Sequence, residues 1–264
     1  MSTMDGRKDK KLNNLLLTWH RGTVQTVRAL EGRGYSRQLL DRYKKSQWII
    51  AVGKGAVALG KDETDYLGGL YALQTQLHLD IHPGGKTALG LLKLSHYVEF
   101  SPNAIQLFGG ETEKQPSWFR ENAWGSEITY YASSFLPAGL ALREIQHKSF
   151  SVKVSSAARA ILEMLYLAKN DQDILECYEN LENLNTLRPV IVQSLLENCR
   201  SIKVKRLFLY MADKAGHEWV SALDLNTVDL GSGKRSLTTN GVYVDKFQIT
   251  VPRILHGYDE DYVE

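Results

Sequence analysis

A chain of 264 residues with 43% hydrophobic side chains is long enough for two ordinary domains with a core each, and nothing in its composition marks it as disordered. Its apolar runs, such as Leu89 to Leu94 broken by Lys93, fall short of the roughly eighteen residues a membrane span needs, and Leu15-Leu16-Leu17 behind the charged start MSTMDGRKDKK is too short for a signal-peptide core. A cytoplasmic protein with no membrane attachment is expected. The formal charge of +2 hides an asymmetry: residues 1–60 hold twelve Lys or Arg against four Asp or Glu, and residues 61–264 hold twenty against twenty-six. A basic head on an acidic body is expected where one module meets a polyanion and the other does something else.

In chain order, Lys10 to Trp19 reads as a helix whose Leu12, Leu15, Leu16 and Trp19 are spaced to cover the next two helices. Thr23 can cap a second helix, Val24 to about Glu31, which Gly32-Arg33-Gly34 then ends. Ser36 can cap a third, to about Ser46, with Leu39, Leu40 and Tyr43 on one apolar face and Arg37, Gln38, Asp41, Arg42, Lys44 and Lys45 outside. Such an outer face suits a major groove: Arg forks onto guanine, Gln can do the same to adenine, and Lys meets phosphate. Trp48 to Val52 and Ala56 to Leu59 flank Gly53-Lys54-Gly55, a hairpin whose tip offers one cation and little bulk. Helix, turn, helix and hairpin outline a winged helix-turn-helix. The same outline also occurs in folds that touch no nucleic acid, where a basic outer face is simply solvated.

Lys61 to Asp65 is a polar break before an amphipathic helix from Tyr66 to Leu77, followed by a short strand from Leu79 to His82 and a helix from Thr87 to Leu94. From Tyr97 the texture turns to β structure, with short strands expected over Tyr97 to Phe100, Ala104 to Phe108, Ile128 to Tyr131, Leu140 to Gln146 and Phe150 to Val154. Helices follow over Ser156 to Ala168, Asp171 to about Leu181, Arg188 to Asn198 and Ile202 to Ala212, and Asn240-Gly241 signals a hairpin between Leu237-Thr238-Thr239 and Val242-Tyr243-Val244. The expected fold class is α+β: a winged helix-turn-helix domain over residues 1–95 with a helical extension, then a mixed α/β domain over residues 96–264.

Catalytic signatures are incomplete throughout. Gly84-Gly85-Lys86-Thr87 imitates the end of a phosphate-binding loop, but Asp80 stands where the earlier glycine is needed, and Gly231-Ser232-Gly233-Lys234 is followed by Arg235. The Gly84 to Thr87 stretch instead turns a strand into a helix. His78 and His82 have helical zinc spacing, but no Glu follows His78, Pro83 implies an extended chain and a third ligand is missing. His217 reads as part of a polar turn, Cys177 and Cys199 as packed reduced thiols, and Glu176, Glu179 and Glu182 as a solvated helix face. No catalytic residue, metal site or cofactor is predicted, and the protein is read as not an enzyme. The Lys203, Lys205, Arg206 cluster and the Lys234-Arg235 pair are either solvated edges or a second surface for DNA or tRNA.

The stretches RGTVQTVRALEGRGYSRQLLDRYKKSQWIIAVGKGAVAL and DYLGGLYALQTQLHLDIHPGGKTALGLLKLSHYV resemble the N-terminal half of the AbiEi-type antitoxins. SSAARAILEMLYL, LNTLRPVIVQSLLENCRSIKVKRLFLYMADKAGHEW and LDLNTVDLGSGKRSLTTNGVYVDKFQITVP resemble their C-terminal half, and together these cover most of the chain in order. The resemblance implies a type IV antitoxin of an abortive-infection system. Its winged helix would repress its own operon at inverted promoter repeats, and its C-terminal domain would counter a nucleotidyltransferase-like toxin acting on translation through tRNA, without a stable complex. It implies DNA contacts from Ser36, Arg37, Gln38, Arg42, Lys44, Lys45 and Lys54, with Thr23 and Gln25 as helix-start contacts, and carries over no catalytic residue. Two other readings stay open: a DNA-binding regulator whose C-terminal domain binds a partner protein or small ligand with no toxin involved, and a C-terminal enzyme that undoes the toxin's modification. With no coiled-coil dimerisation helix in the sequence, a monomer that binds DNA cooperatively is expected.

Overall fold

In the computed structural model, which describes residues 3–94, 104–236, 238 and 240–257, the chain begins with α1 (Thr3–Thr18), β1 (Gln25–Thr26), α2 (Val27–Gly32) and α3 (Arg37–Lys45). The hairpin β2 (Ile49–Gly53) and β3 (Ala56–Leu59) follows, then α4 (Tyr66–Gln76). The next elements are β4 (His82–Pro83), α5 (Gly85–Leu91), β5 (Ala104–Gly109), α6 (Ser117–Arg120), β6 (Glu127–Ala132) and the paired strands β7 (Leu142–His147) and β8 (Phe150–Ser155). Four helices come next: α7 (Ala157–Leu167), α8 (Asp171–Glu182), α9 (Pro189–Asn198) and α10 (Ile202–Lys214). The chain continues through β9 (Arg235–Ser236), β10 (Val242–Val244), β11 (Ile249–Val251) and α11 (Arg253–His256). The expected strand from Tyr97 to Phe100 lies outside the described residues.

Two compact units emerge. The first takes the chain to Leu79 and adds Lys114–Gly125 and Glu144–Val152, and the second holds Asp80–Glu113, Ser126–Arg143 and Lys153 onward. The division is therefore not a single break near Ser95, because two later segments pack with the N-terminal elements.

In the first unit, Leu15, Trp19, Leu30, Tyr35, Leu39, Leu40, Ile49 and Val57 form one core. The second helix starts three residues later than expected: Gln25 and Thr26 are drawn into a strand opposite Val57 and Ala56, completing an antiparallel sheet of order β1-β3-β2. Thr26, not Thr23, is the N-cap, accepting from the Ala29 amide at 3.1 Å. The side-chain amide of Gln76 acts as a further strand edge, accepting from the Thr26 amide at 2.7 Å and donating to the Val24 carbonyl at 3.1 Å. The segment α6 covers β2 so closely that a Cβ on Gly53 would lie 2.8 Å from Trp118 Cβ, which only glycine permits. At the other added segment, Asp65 caps α4 through the Gly68 amide and also accepts from His147 Nε2 at 2.8 Å and Lys148 Nζ at 3.1 Å. Burial opposes the Asp65 charge, but these hydrogen bonds outweigh it and hold the carboxyl below its ordinary value.

In the second unit, β5 pairs in parallel with β6 and antiparallel with β4. Helix α7 is buried along most of its length, its Ala160, Ile161 and Leu165 joining Phe108, Tyr178, Leu195, Leu207 and Phe208 in the core. Val242–Val244 forms β10 and pairs with β11, which also pairs in parallel with β9, while Leu237 and Thr239 of the hairpin expected at Asn240-Gly241 lie outside the described residues. His217 is not in a polar turn but buried, bonded to the Leu181 carbonyl at 2.9 Å and stacked on Trp219.

The centre of this unit is a charged cluster. Glu163, fully buried, accepts from Arg159 Nε at 2.7 Å, Ser155 Oγ at 2.8 Å, the Gly85 amide at 2.9 Å and His82 Nε2 at 3.2 Å. Arg159 Nη1 donates to the carbonyls of Pro137 and Leu140, and His82 Nδ1 to that of Asp80. Gly85, at φ +51°, turns β4 into α5 as the GGKT stretch predicts, and its amide is spent on Glu163. Burial works against the Glu163 charge, but the hydrogen bond from His82 and the charges of Arg159 and His82 prevail, so its carboxyl lies below the ordinary 4.5. Its contribution to stability is therefore present above pH 4.5 and lost as the pH falls through the lower folded value. Glu163→Gln should cost about 3–5 kcal/mol in urea unfolding and flatten the acid limb of stability against pH. An unchanged acid limb would refute the assignment.

Candidate nucleic-acid interface

Helix α3 is nine residues long, about two and a half turns, and its two faces differ in chemistry. Ser36 accepts from the Leu39 amide at 3.4 Å, and Leu39, Leu40 and Tyr43 are buried. Arg37, Gln38, Arg42 and Lys45 are exposed, Lys44 is half-buried, and Lys54 stands exposed at the wing tip. Two of these carry ion pairs within the unit: Arg37 Nε to Glu31 at 2.7 Å and Lys44 Nζ to Asp41 at 3.2 Å. Surface pairs of this kind are worth about 0–1 kcal/mol, so either cation can be redirected to a phosphate or a base at little cost. Gln38, Arg42, Lys45 and Lys54 have no polar side-chain partner among the described residues.

Thr23 and Gln25 do not belong to this surface. Both are buried, Thr23 donating its hydroxyl to the His20 carbonyl at 2.6 Å and Gln25 sitting in the sheet opposite Val57. Other basic side chains near the helix-turn-helix hold its frame: Arg33 donates to Thr18 Oγ1 at 2.6 Å and Lys11 to the Gly34 carbonyl at 2.9 Å. The cover over β2 from α6 has no signal in the sequence, since Ser117–Arg120 lies far from the wing along the chain and carries no wing-like pattern. Trp48 and Ile50, expected as ordinary strand residues, are 47% and 45% exposed.

The second basic set is divided by the fold. Arg206 is buried, and its guanidinium donates to the carbonyls of Leu230, Gly231, Gly233 and Gln248 at 2.7–3.1 Å, tying the loop before β9 to the turn before β11. Lys205 is buried as well, so neither residue forms part of a surface. Their closeness to Lys203 in the sequence could not show that α10 is covered on most of its circumference. Lys203 is half-buried, donating to the Ala168 carbonyl at 2.8 Å, and burial pulls its pKa below the ordinary value. Lys234 and Arg235 are exposed, with Lys234 Nζ 4.7 Å from the centre of the Tyr243 ring.

Among the described residues no group of three or more His, Cys, Asp or Glu could hold a metal, and no helix is long and apolar enough to cross a membrane. Both cysteines are buried and free, and burial pushes the Cys177 thiol up to about 12.

Two family models match in succession. One, described as the N-terminal domain of the AbiEi antitoxin transcriptional regulator, matches residues 8–100, and the other, described as a transcriptional regulator, AbiEi antitoxin, of type IV toxin-antitoxin systems, matches residues 102–252. The chain belongs to the AbiEi antitoxin family. The first match spans α3 and the wing, so the candidate interface lies in the part matched by the AbiEi N-terminal domain. The crystal structure of the RV2827C protein from Mycobacterium tuberculosis is similar in fold, with a TM-score of 0.60 at 14% identity over 97% of this chain and 94% of that one. No curated protein matches the sequence significantly.

The two kinds of basic residue should separate by experiment. Arg206→Ala empties a buried site and removes its four hydrogen bonds to the loop carbonyls, which should lower stability by about 3 kcal/mol or more, whereas Lys234→Ala should stay within about 0.5 kcal/mol. Thermal unfolding of the two variants checks this, and a mild Arg206→Ala would refute its role in the frame.

Proposed function

We propose that this AbiEi antitoxin binds double-stranded DNA with α3 in the major groove and the Gly53-Lys54-Gly55 wing on the adjacent phosphates, and so represses its own operon at inverted promoter repeats. The observation that carries the reading is the outer face of α3, where Gln38, Arg42 and Lys45 are exposed without side-chain partners among the described residues while Leu39, Leu40 and Tyr43 anchor the helix from behind. Arg37 and Gln38 are the base readers, Arg42, Lys44, Lys45 and Lys54 meet phosphate, and the Ser36 cap presents the helix start to the backbone. The protein is a cytoplasmic monomer that binds paired repeats cooperatively. Through its C-terminal part it opposes a nucleotidyltransferase-like toxin without a stable complex, and itself performs no catalysis. Lys234 and Arg235, both exposed, remain available in that part as a second polyanion-binding edge.

Arg37→Ala should cost about 1–3 kcal/mol on the operon's own promoter and little on unrelated DNA. Lys54→Ala should weaken all sequences alike and reduce the salt slope by about 0.9. Gel-shift titrations at several salt concentrations measure both, and parent-like binding by both variants would sink the interface. Neutralisation is tested with the full chain, because residues 1–95 alone would lack two segments of the first unit. Arg37→Ala with Lys54→Ala should still rescue growth against the neighbouring toxin gene while derepressing the promoter. Loss of rescue would show that protection runs through DNA binding.

A further inference from the structure

Beyond the carboxyl ends of the parallel strands β5 and β6, the second unit holds a shallow, open cleft of about 300 Å³ bordered by Glu111, Ser133, Ser134, Phe135, Tyr166 and Arg200. A second depression of about 220 Å³ shares Glu111, Ser133, Ser134 and Arg200 with it. Clefts at the carboxyl ends of parallel strands are favoured ligand positions, and about 300 Å³ is the lower end of the range for small-molecule sites.

The wall chemistry narrows the ligand. Tyr166 is 41% exposed on α7, and its ring lies flat on Phe135, the centroids 4.2 Å apart and the planes 8° from parallel. Phe135 fixes the ring from one side, and both rings border the depression as a pre-set aromatic surface. Arg200, exposed between α9 and α10, has its backbone amide bonded to the Phe135 carbonyl at 2.9 Å, so the platform and the base of the arginine are held to each other. Its guanidinium has no partner among the described residues, and neither have the Ser134 hydroxyl and the Glu111 carboxylate. The α3 interface uses none of these residues.

We infer that this cleft binds a single nucleotide, its base stacked on Tyr166 and its phosphate held by Arg200. Ser134 donates to the phosphate, and Glu111, which repels it, accepts from the ribose hydroxyls or an exocyclic amine. A planar ring, an anion and hydroxyl donors in one small ligand are what an aromatic face, a planar cationic fork and a carboxylate together recognise. The inference is independent of the DNA-binding reading, which rests on the other unit.

The test is calorimetric titration of the full chain with AMP, GMP, CMP and UMP, with adenosine and ribose 5-phosphate as controls lacking phosphate or base. Nucleoside monophosphates should bind about tenfold or more tightly than either control. Tyr166→Ala should abolish the advantage over ribose 5-phosphate and Tyr166→Phe should keep it. Arg200→Gln should abolish the advantage over adenosine. Both positions are exposed, and parent-like thermal unfolding of each variant confirms that it folds. A short single-stranded oligonucleotide that competes with AMP would place a strand's nucleotide in the same cleft, whereas binding of AMP without such competition would restrict the site to free nucleotides. No saturable binding of any monophosphate or oligonucleotide at millimolar concentration, or binding unchanged by Tyr166→Ala and Arg200→Gln, would overturn the inference.

Discussion

A nine-residue helix is too short to persist in water on its own, and the candidate interface depends on how that limit is overcome. Leu39, Leu40 and Tyr43 bury against Leu15, Trp19, Leu30 and Ile49, at about 1.5–3 kcal/mol for each large side chain. Everything on the opposite face is then positioned by packing it does not share. The core also sets the direction of the hairpin, since Ile49, Val57 and Leu59 lie in it. Helix α3 and the wing are thus two outlets of one cluster, and a change of volume behind α3 would move both.

The second unit shows what burial does to charges that look like surface features in the sequence. Glu163 and Arg159 lie four residues apart on α7, a spacing common on solvated helices, yet the helix is covered and the pair is sealed inside with His82. Taking such ions out of water costs several kcal/mol each, and the cost is offset here by partners: Glu163 accepts from four donors, one of them the Gly85 amide that begins α5. Arg206 follows the same logic with backbone carbonyls as its acceptors. Both clusters join segments distant in the chain, so charge serves here as a fastener of loops.

The helices and most strands were legible because their periodicities are strong: Tyr66–Gln76, Ala157–Leu167, Asp171–Glu182 and Pro189–Asn198 lie within a residue or two of their expected limits. So was the division of α3 into buried and exposed faces. What failed was pairing across distance. Gln25 and Thr26 have a good helix start after them and became a strand only because β3 offered them partners. β10 likewise pairs with Ile249–Val251, across a loop that carries no hairpin signal. The cleft beside Tyr166 was invisible for the same reason, being assembled from four separate stretches of chain.

The sequence by itself determined the periodic elements, the basic head, the exposed face of α3 and the family likeness, because each is written in spacing and residue type along a contiguous stretch. Only the tertiary structure decided which charged and polar groups reach water. Thr23, Gln25, Lys205 and Arg206 are buried, while Arg42, Lys45, Lys54 and Arg200 are exposed. The physical reason is that solvent access is set by whichever distant segment lands on a side chain, as α6 does on the wing and the loop before β9 does on Arg206, and local pattern carries no record of that.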